Sequence, residues 1–174
     1  AGTHVLSDIR GGPSSSYPNW LTRCGDKLFF QAYSNLDGYE LWQSDLTTFG
    51  TSMVKDLYNG GGSSSPAYLV AVGDLVYFSA LTATNGRELA RSDGTIAGTY
   101  VIADLNPGTA SSSPANLIAA GKGVYFSATL ANTGNELYFS DGTSPGTSLI
   151  CDIYPGINSS SPSSLHICDG TLYM

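Results

Sequence analysis

Residues 60–70 read "GGGSSSPAYLV": three serines and a proline directly before an apolar run. The arrangement returns at "TASSSPANLI" (109–118) and at "NSSSPSSLHI" (158–167). The triplets begin at Ser63, Ser111 and Ser159, so they are equally spaced. A recurrence that regular belongs to the architecture, and an internal repeat has to be read before anything else. Sliding the chain by one such period aligns Gly2-Thr3 with Gly50-Thr51, Gly98-Thr99 and Gly146-Thr147. It aligns Asp8, Asp56, Asp104 and Asp152, each followed by Ile or Leu. Pro18, Pro66, Pro114 and Pro162 form a column, as do Leu21, Leu69, Leu117 and Leu165. Phe29-Phe30 maps onto Tyr77-Phe78, Tyr125-Phe126 and Tyr173-Met174. Glu40-Leu41, Glu88-Leu89 and Glu136-Leu137 coincide, and so do Ser44-Asp45, Ser92-Asp93 and Ser140-Asp141. No gap is needed anywhere; Tyr17 stands where the third serine would be in the first unit.

The register divides residues 1–174, read as a single repeat domain, into units 2–49, 50–97, 98–145 and an incomplete 146–174 that stops in its second strand. About 18 further residues would complete the fourth unit, and the chain starts mid-motif at Ala1 with no signal peptide in view. A processed product or an excerpt of a longer chain is the expectation.

Composition limits the partners. The formal net charge is −7, charged residues make up 12% of the chain, and Lys122 is the one basic residue of the last two units. Nucleic acid requires Lys and Arg to displace counterions, so no nucleic-acid partner is expected. No apolar run approaches the roughly 20 residues of a spanning helix, so no membrane span is expected. Abundant Gly, Ser, Thr, Asn and Tyr suit short strands, many turns and an extracellular or cell-surface setting. Cys24 and Cys168 share a column and Cys151 stands alone. An odd count excludes full internal pairing. One bridge with a free thiol, an intermolecular bridge and three free thiols all stay open.

Each unit predicts four short strands: in the third, "TYVIADL" (99–105), "ANLIAAG" (115–121), "GVYFSAT" (123–129) and "NELYFSDG" (135–142). Ser-Asp-Gly-Thr at 92–95 and 140–143 is turn chemistry in which glycine takes positive φ without steric cost. "SDLTTFG" (44–50) lacks that glycine, which predicts a looser hairpin in the first unit. Four strands in a unit of this length is the arithmetic of a propeller blade. The expected fold is therefore all-β, a β-propeller-like array of four-stranded antiparallel blades on a 48-residue repeat. A β-solenoid or another stacked-sheet repeat is the alternative.

"ELWQSD" (40–45), "ELARSDGTIAGT" (88–99) and "ELYFSDGTSPGT" (136–147) resemble the ELWxxDGT repeat family. The likeness spans the whole chain, although only Trp42 keeps the tryptophan, and Leu46-Thr47 breaks the DGT. The resemblance implies a secreted or surface-attached, propeller-like repeat protein. It carries no catalytic residue across.

All three glutamates fall in the motif column, and seven of the eleven aspartates fall in two columns. Repeated carboxylates can serve Ca²⁺, which takes six to eight oxygens, and Asp45, Asp93 and Asp141 are the candidate ligands. The competing reading is structural: an aspartate in such a turn bonds its own backbone. No other cofactor is expected. His4 and His166 belong to no repeated feature, and no GxSxG, HExxH or phosphate-binding glycine loop occurs. No enzyme is expected. The serine tracts are candidate glycosylation sites: Ser63, Ser64, Ser65, Ser111, Ser112, Ser113, Ser159, Ser160 and Ser161, with Asn158 in the sole Asn-x-Ser sequon. The rival is conformational, since Ser and Pro make a soluble extended connector. Tyr17, Trp20, Tyr39, Trp42, Tyr68 and Tyr138 are candidates for stacking on sugars; Tyr77, Tyr125 and Tyr173 read as strand core.

A blade closed from the two chain ends, the lone "THVLSDI" strand (3–9) and the strands of the fourth unit, would still lack its ELxxSDGT strand. Exposed edges template pairing with another chain. The leading functional expectation is a glycosylated structural protein, self-assembling by strand complementation into a fibre or surface layer. The alternative is a carbohydrate- or protein-binding propeller used in adhesion, which would gather differing residues at one mouth.

Overall fold

The computed structural model describes residues 2–174. They form an all-β protein of fourteen strands, with no helix among the described residues. The first sheet comprises β1 (Asn19–Cys24), β2 (Lys27–Ser34), β3 (Gly38–Ser44) and β4 (Thr51–Lys55) in that spatial order. The second comprises β5 (Ala67–Val72), β6 (Leu75–Thr82), β7 (Gly86–Ser92) and β8 (Tyr100–Val101). The third comprises β9 (Ala115–Ala120), β10 (Gly123–Leu130), β11 (Gly134–Ser140) and β12 (Thr147–Cys151). A two-stranded sheet, β13 (His166–Cys168) and β14 (Thr171–Tyr173), follows. Every neighbouring pair is antiparallel, and no sheet closes into a barrel.

The sheets are out of phase with the sequence units. Each four-stranded sheet takes three strands from one unit and its fourth from the start of the next, because the Ser-Asp turn folds Thr51, Thr99 or Thr147 back onto the strand before it. Ser44 therefore pairs with Thr51 and Ser140 with Thr147. This phase removes the expected strand at 3–9. Those residues occupy the column of β4, β8 and β12, and no described third strand lies beside them, so they adopt no strand. In the same phase the fourth unit reaches the second strand of its sheet, β14. The predicted strand over 99–105 also shortens to two residues, and the amide of Ile102 goes to the Leu89 carbonyl at 2.8 Å.

Two apolar clusters join consecutive sheets. Phe29 and Leu41 of the first sheet meet Val76, Phe78 and Ala80 of the second. Tyr77 and Leu89 of the second meet Val124, Phe126 and Tyr138 of the third. Alternate residues of β6 point to opposite faces, so Tyr77 and Phe78 serve different clusters. With both faces covered, β6 has five consecutive buried residues, the pattern of a strand enclosed on both sides. First strands lie side by side, β1 next to β5 and β5 next to β9. Tyr77 is buried as expected, Tyr125 is half-buried, and Tyr173 is 57% exposed on the two-stranded sheet.

Among the described residues, no helix is long and apolar enough to cross a membrane.

Candidate functional site

The serine tract is explained by the strands on either side of it. Ser63 Oγ accepts the Tyr39 amide at 3.0 Å, Ser111 Oγ the Arg87 amide at 2.9 Å, and Ser159 Oγ the Asn135 amide at 2.9 Å. The second serine meets the motif glutamate. Ser64 gives its amide to Glu40 Oε1 at 2.7 Å and its hydroxyl to Oε2 at 2.5 Å, while the Leu57 amide reaches Oε2 at 3.2 Å. Ser112 and the Leu105 amide hold Glu88 in the same way, and Ser160 with the Ile153 amide holds Glu136. The third serine turns the chain in the left-handed region, with φ of 45° at Ser65, 50° at Ser113 and 51° at Ser161. Its amide returns to the carbonyl of residue 39, 87 or 135. The carbonyl of the second serine then accepts an amide from the next sheet, Leu81 onto Ser64 and Thr129 onto Ser112. The tract is thus a hydrogen-bonded bridge between consecutive sheets.

The three glutamates are fully buried, and a buried carboxylate needs such donors. Their hydrogen bonds are alike but their titration is not. Burial pushes the Glu40 carboxyl up to about 7, against the lowering effect of its hydrogen bonds. Burial also raises Glu88. At Glu136 burial raises the carboxyl less than the bonds from Ser160 and the following amides lower it, and the net shift is downward.

These contacts divide the candidate glycosylation sites. Ser64 and Ser112 are fully buried, and their hydroxyls are committed to Glu40 and Glu88. Ser160 is half-buried on Glu136, and Ser63, Ser65 and Ser111 are half-buried. Ser113, Ser159, Ser161 and Asn158 are exposed. Gly134 packs so closely on the Asn158 carbonyl that a Cβ there would overlap it.

Asp45, Asp93 and Asp141 each spend Oδ1 on their own turn. Asp93 Oδ1 accepts the Thr95 amide at 2.8 Å and its hydroxyl at 2.7 Å, and Thr47 and Thr143 do the same for Asp45 and Asp141. Those bonds, the hydroxyl's first, hold all three carboxyls below their ordinary range. The structure does not bring them together, and among the described residues no cluster of three metal-ligating side chains forms. In the first turn Leu46 takes the glycine's left-handed conformation, φ 67° against 86° at Gly94 and 89° at Gly142, but the hydroxyl bonds from Thr99 to the Thr95 carbonyl and from Thr147 to the Thr143 carbonyl have no counterpart there. The first-turn aspartate makes the same bonds. Gly50, Gly98 and Gly146 abut this aspartate so tightly that a Cβ would strike it.

All three cysteines are free: Cys24 buried, Cys151 and Cys168 exposed. Burial, with a smaller contribution from the Asp74 charge, raises the Cys24 thiol. His4 and His166 are both exposed.

Several residues that differ between repeats gather elsewhere. Trp20, Tyr68 and Asn116 share one column at a bulge in the first strand, each in the left-handed region with φ of 56°, 57° and 54°. Such strain in non-glycine residues, repeated in register, marks a designed local geometry. Trp20 and Tyr68 are each 37% exposed, with ring centroids 4.9 Å apart and planes inclined at 41°. Beside them lies a groove of about 520 Å³ lined by Gln31, Tyr68, Ser79, Arg87, Ser113 and Pro114, among others. Of the other aromatic candidates, Tyr17 is exposed and Tyr39 is half-buried in an edge-on pair with Tyr33. Tyr138 is buried in the second cluster. Trp42 is half-buried with an unpartnered Nε1. Sequence reasoning named Trp20 and Tyr68 but missed Arg87 and Gln31. Their signal was available as columns 39/87/135 and 31/79/127, which read Tyr/Arg/Asn and Gln/Ser/Ser amid constant neighbours.

The chain matches no family model, no curated protein and no solved structure.

Proposed function

We propose that this chain is part of an extracellular, β-propeller-like repeat scaffold that binds carbohydrate at the line where its first strands adjoin. One observation carries the reading. The constant glutamates, aspartates and second serines are consumed in the Glu–Ser bridges and the Asp–Thr turns, whereas three columns that vary bring Gln31, Ser79, Tyr68 and Arg87 to one groove beside an exposed aromatic pair. A scaffold selected only for stacking has no use for that segregation. Aromatic faces bordered by hydrogen-bonding groups suit the apolar face and hydroxyl rim of a pyranose. The side-by-side first strands support a radial array over a linear solenoid, and the resemblance to ELWxxDGT repeats agrees with a secreted setting. Exposed Asn158 and Ser161 are the sites best placed to carry covalent glycans. The test is a glycan array probed with the labelled chain. Binding that falls on Trp20→Ala, with the fold intact by circular dichroism, is the expected result; no binding to any saccharide would sink it.

Self-assembly into a fibre or surface layer is the second reading. The uniformity of the bridging columns favours it, since identical joints between sheets suit an extended array of equivalent units. Direct pairing of residues 3–9 with β14 of another copy is disfavoured, because the first stand in the fourth-strand column and the second in the second-strand column. Negative-stain electron microscopy decides: filaments of regular axial repeat support assembly, and discrete compact particles exclude it.

A further inference from the structure

Arg87 is the one basic residue among those lining the groove, and no acidic residue lines it. Its guanidinium is half-buried in a chain of net charge −7, yet its contacts are with neutral oxygens only. Nη1 lies 3.0 Å from the Ser65 carbonyl and 3.5 Å from the carbonyl and hydroxyl of Ser79, and Nη2 lies 3.5 Å from the Ser64 carbonyl. Nε and the remaining N–H groups are uncommitted. A guanidinium has five donors in a planar fork that matches an oxyanion.

The middle repeat is also open where its neighbours are closed. In the first repeat Gln31 Nε2 donates to the Pro66 carbonyl at 3.0 Å. In the third, Asn116 Nδ2 donates to the Pro162 carbonyl at 3.2 Å. The second repeat has Ser79 and Tyr68 in those two columns, and no side chain reaches the equivalent Pro114 carbonyl, which borders the groove. Without the closing amide that carbonyl has no side-chain donor, in a groove that Arg87 and Tyr68 also line, with Trp20 against Tyr68.

We infer that this groove selects a saccharide bearing a carboxylate or sulfate group, its anion held by Arg87, one hydroxyl given to the Pro114 carbonyl, and its apolar face on Tyr68. The inference rests on the carbohydrate reading above and adds the charge of the ligand. Burial lowers the Arg87 guanidinium from its ordinary value, and a bound anion would offset that cost in the way a paired charge does.

The test uses an array of matched neutral, carboxylated and sulfated oligosaccharides, followed by calorimetry of the whole chain with the best of them. Preference for anionic members is expected, weakening as NaCl rises. Arg87→Gln should weaken binding by about tenfold or more, as expected for a charge-assisted hydrogen bond, with melting temperature retained. Arg87→Lys, which keeps the charge but not the fork, should recover part of that loss. Tyr68→Ala should also weaken binding. If Arg87→Gln fails to fold, Tyr68→Ala and the salt series decide. Preference for carboxylated or for sulfated members supports the assignment in either case and names the anion. Binding to neutral members alone, or anionic binding indifferent to salt and to Arg87→Gln, overturns this inference while the carbohydrate reading stands. Silence across the whole array overturns both.

Discussion

Leu46 stands where the other turns have Gly94 and Gly142, and it adopts their left-handed backbone. A side chain in that region costs about 1–2 kcal/mol because Cβ crowds the following carbonyl. Leu46 is also exposed, so little packing is lost by removing it. Leu46→Gly should therefore stabilise the protein by about 1 kcal/mol in urea unfolding, less what glycine's freer unfolded chain takes back. A drop in stability would mean that Leu46 packs to more effect than its exposure implies. The buried glutamates make a second case. Glu40 is raised from an ordinary carboxylate value to about 7, so the folded chain holds that proton more tightly than the unfolded one. Its contribution is fully present below the unfolded value near 4.5 and is lost as pH rises through about 7. Melting temperature should fall between pH 5 and pH 8, and Glu40→Gln, which cannot ionise, should flatten that slope. An unchanged slope in the variant would assign the pH dependence to other groups.

At the scale of the element, each inter-sheet connector carries three serines with three different tasks, and the tasks predict three different sensitivities. Ser112→Ala removes a hydroxyl donor from a fully buried carboxylate and should cost about 1–3 kcal/mol, the penalty of an under-satisfied buried group. Ser113→Ala removes an exposed hydroxyl that makes no hydrogen bond and should stay within about 0.5 kcal/mol, as surface changes do. Equal effects from the two would contradict the division of labour described above. That division was only half legible beforehand. Most strand positions and the Asp-Gly turns could be read from the chain, because each depends on residues within a few positions of one another, and the repeat length could be read from the likeness of successive stretches. The pairing of Glu88 with Ser112 could not. The partners lie 24 residues apart, and local patterning shows that both columns are constant without showing that they touch. Glycosylation and an extended connector were therefore indistinguishable readings of the same serines, and the bridge was not legible at all.

For the whole molecule, stability is a chain of nearest-neighbour couplings between sheets. Phe78 belongs to the cluster between the first and second sheets, and Phe126 to the cluster between the second and third. Truncating either to alanine should cost about 3–5 kcal/mol as a large-to-small core change. The consequences should differ in place. Phe78→Ala should loosen the connector at residues 56–66, and Phe126→Ala the connector at 104–114, each seen as a new cleavage site in limited proteolysis. Cleavage at both connectors in either variant would show that the sheets unfold as one unit.

The amino-acid sequence by itself determined that this is an all-β repeat with strands and turns at set places, since apolar runs and turn glycines act over short separations and the repeat shows as direct likeness between stretches of the chain. The tertiary structure decided what those units do to one another. It set the sheets out of phase with the units, because strand pairing follows the Ser-Asp turn rather than the start of the repeat. It left residues 3–9 without strand structure, with no described strand beside them, and it buried the glutamates against serines of the following connector. It also drew Gln31, Tyr68 and Arg87, which stand on different strands and well apart in sequence, to one groove, with Trp20 against Tyr68. Convergence of that kind arises from packing between sheets, a long-range property on which no single repeat carries a local signal.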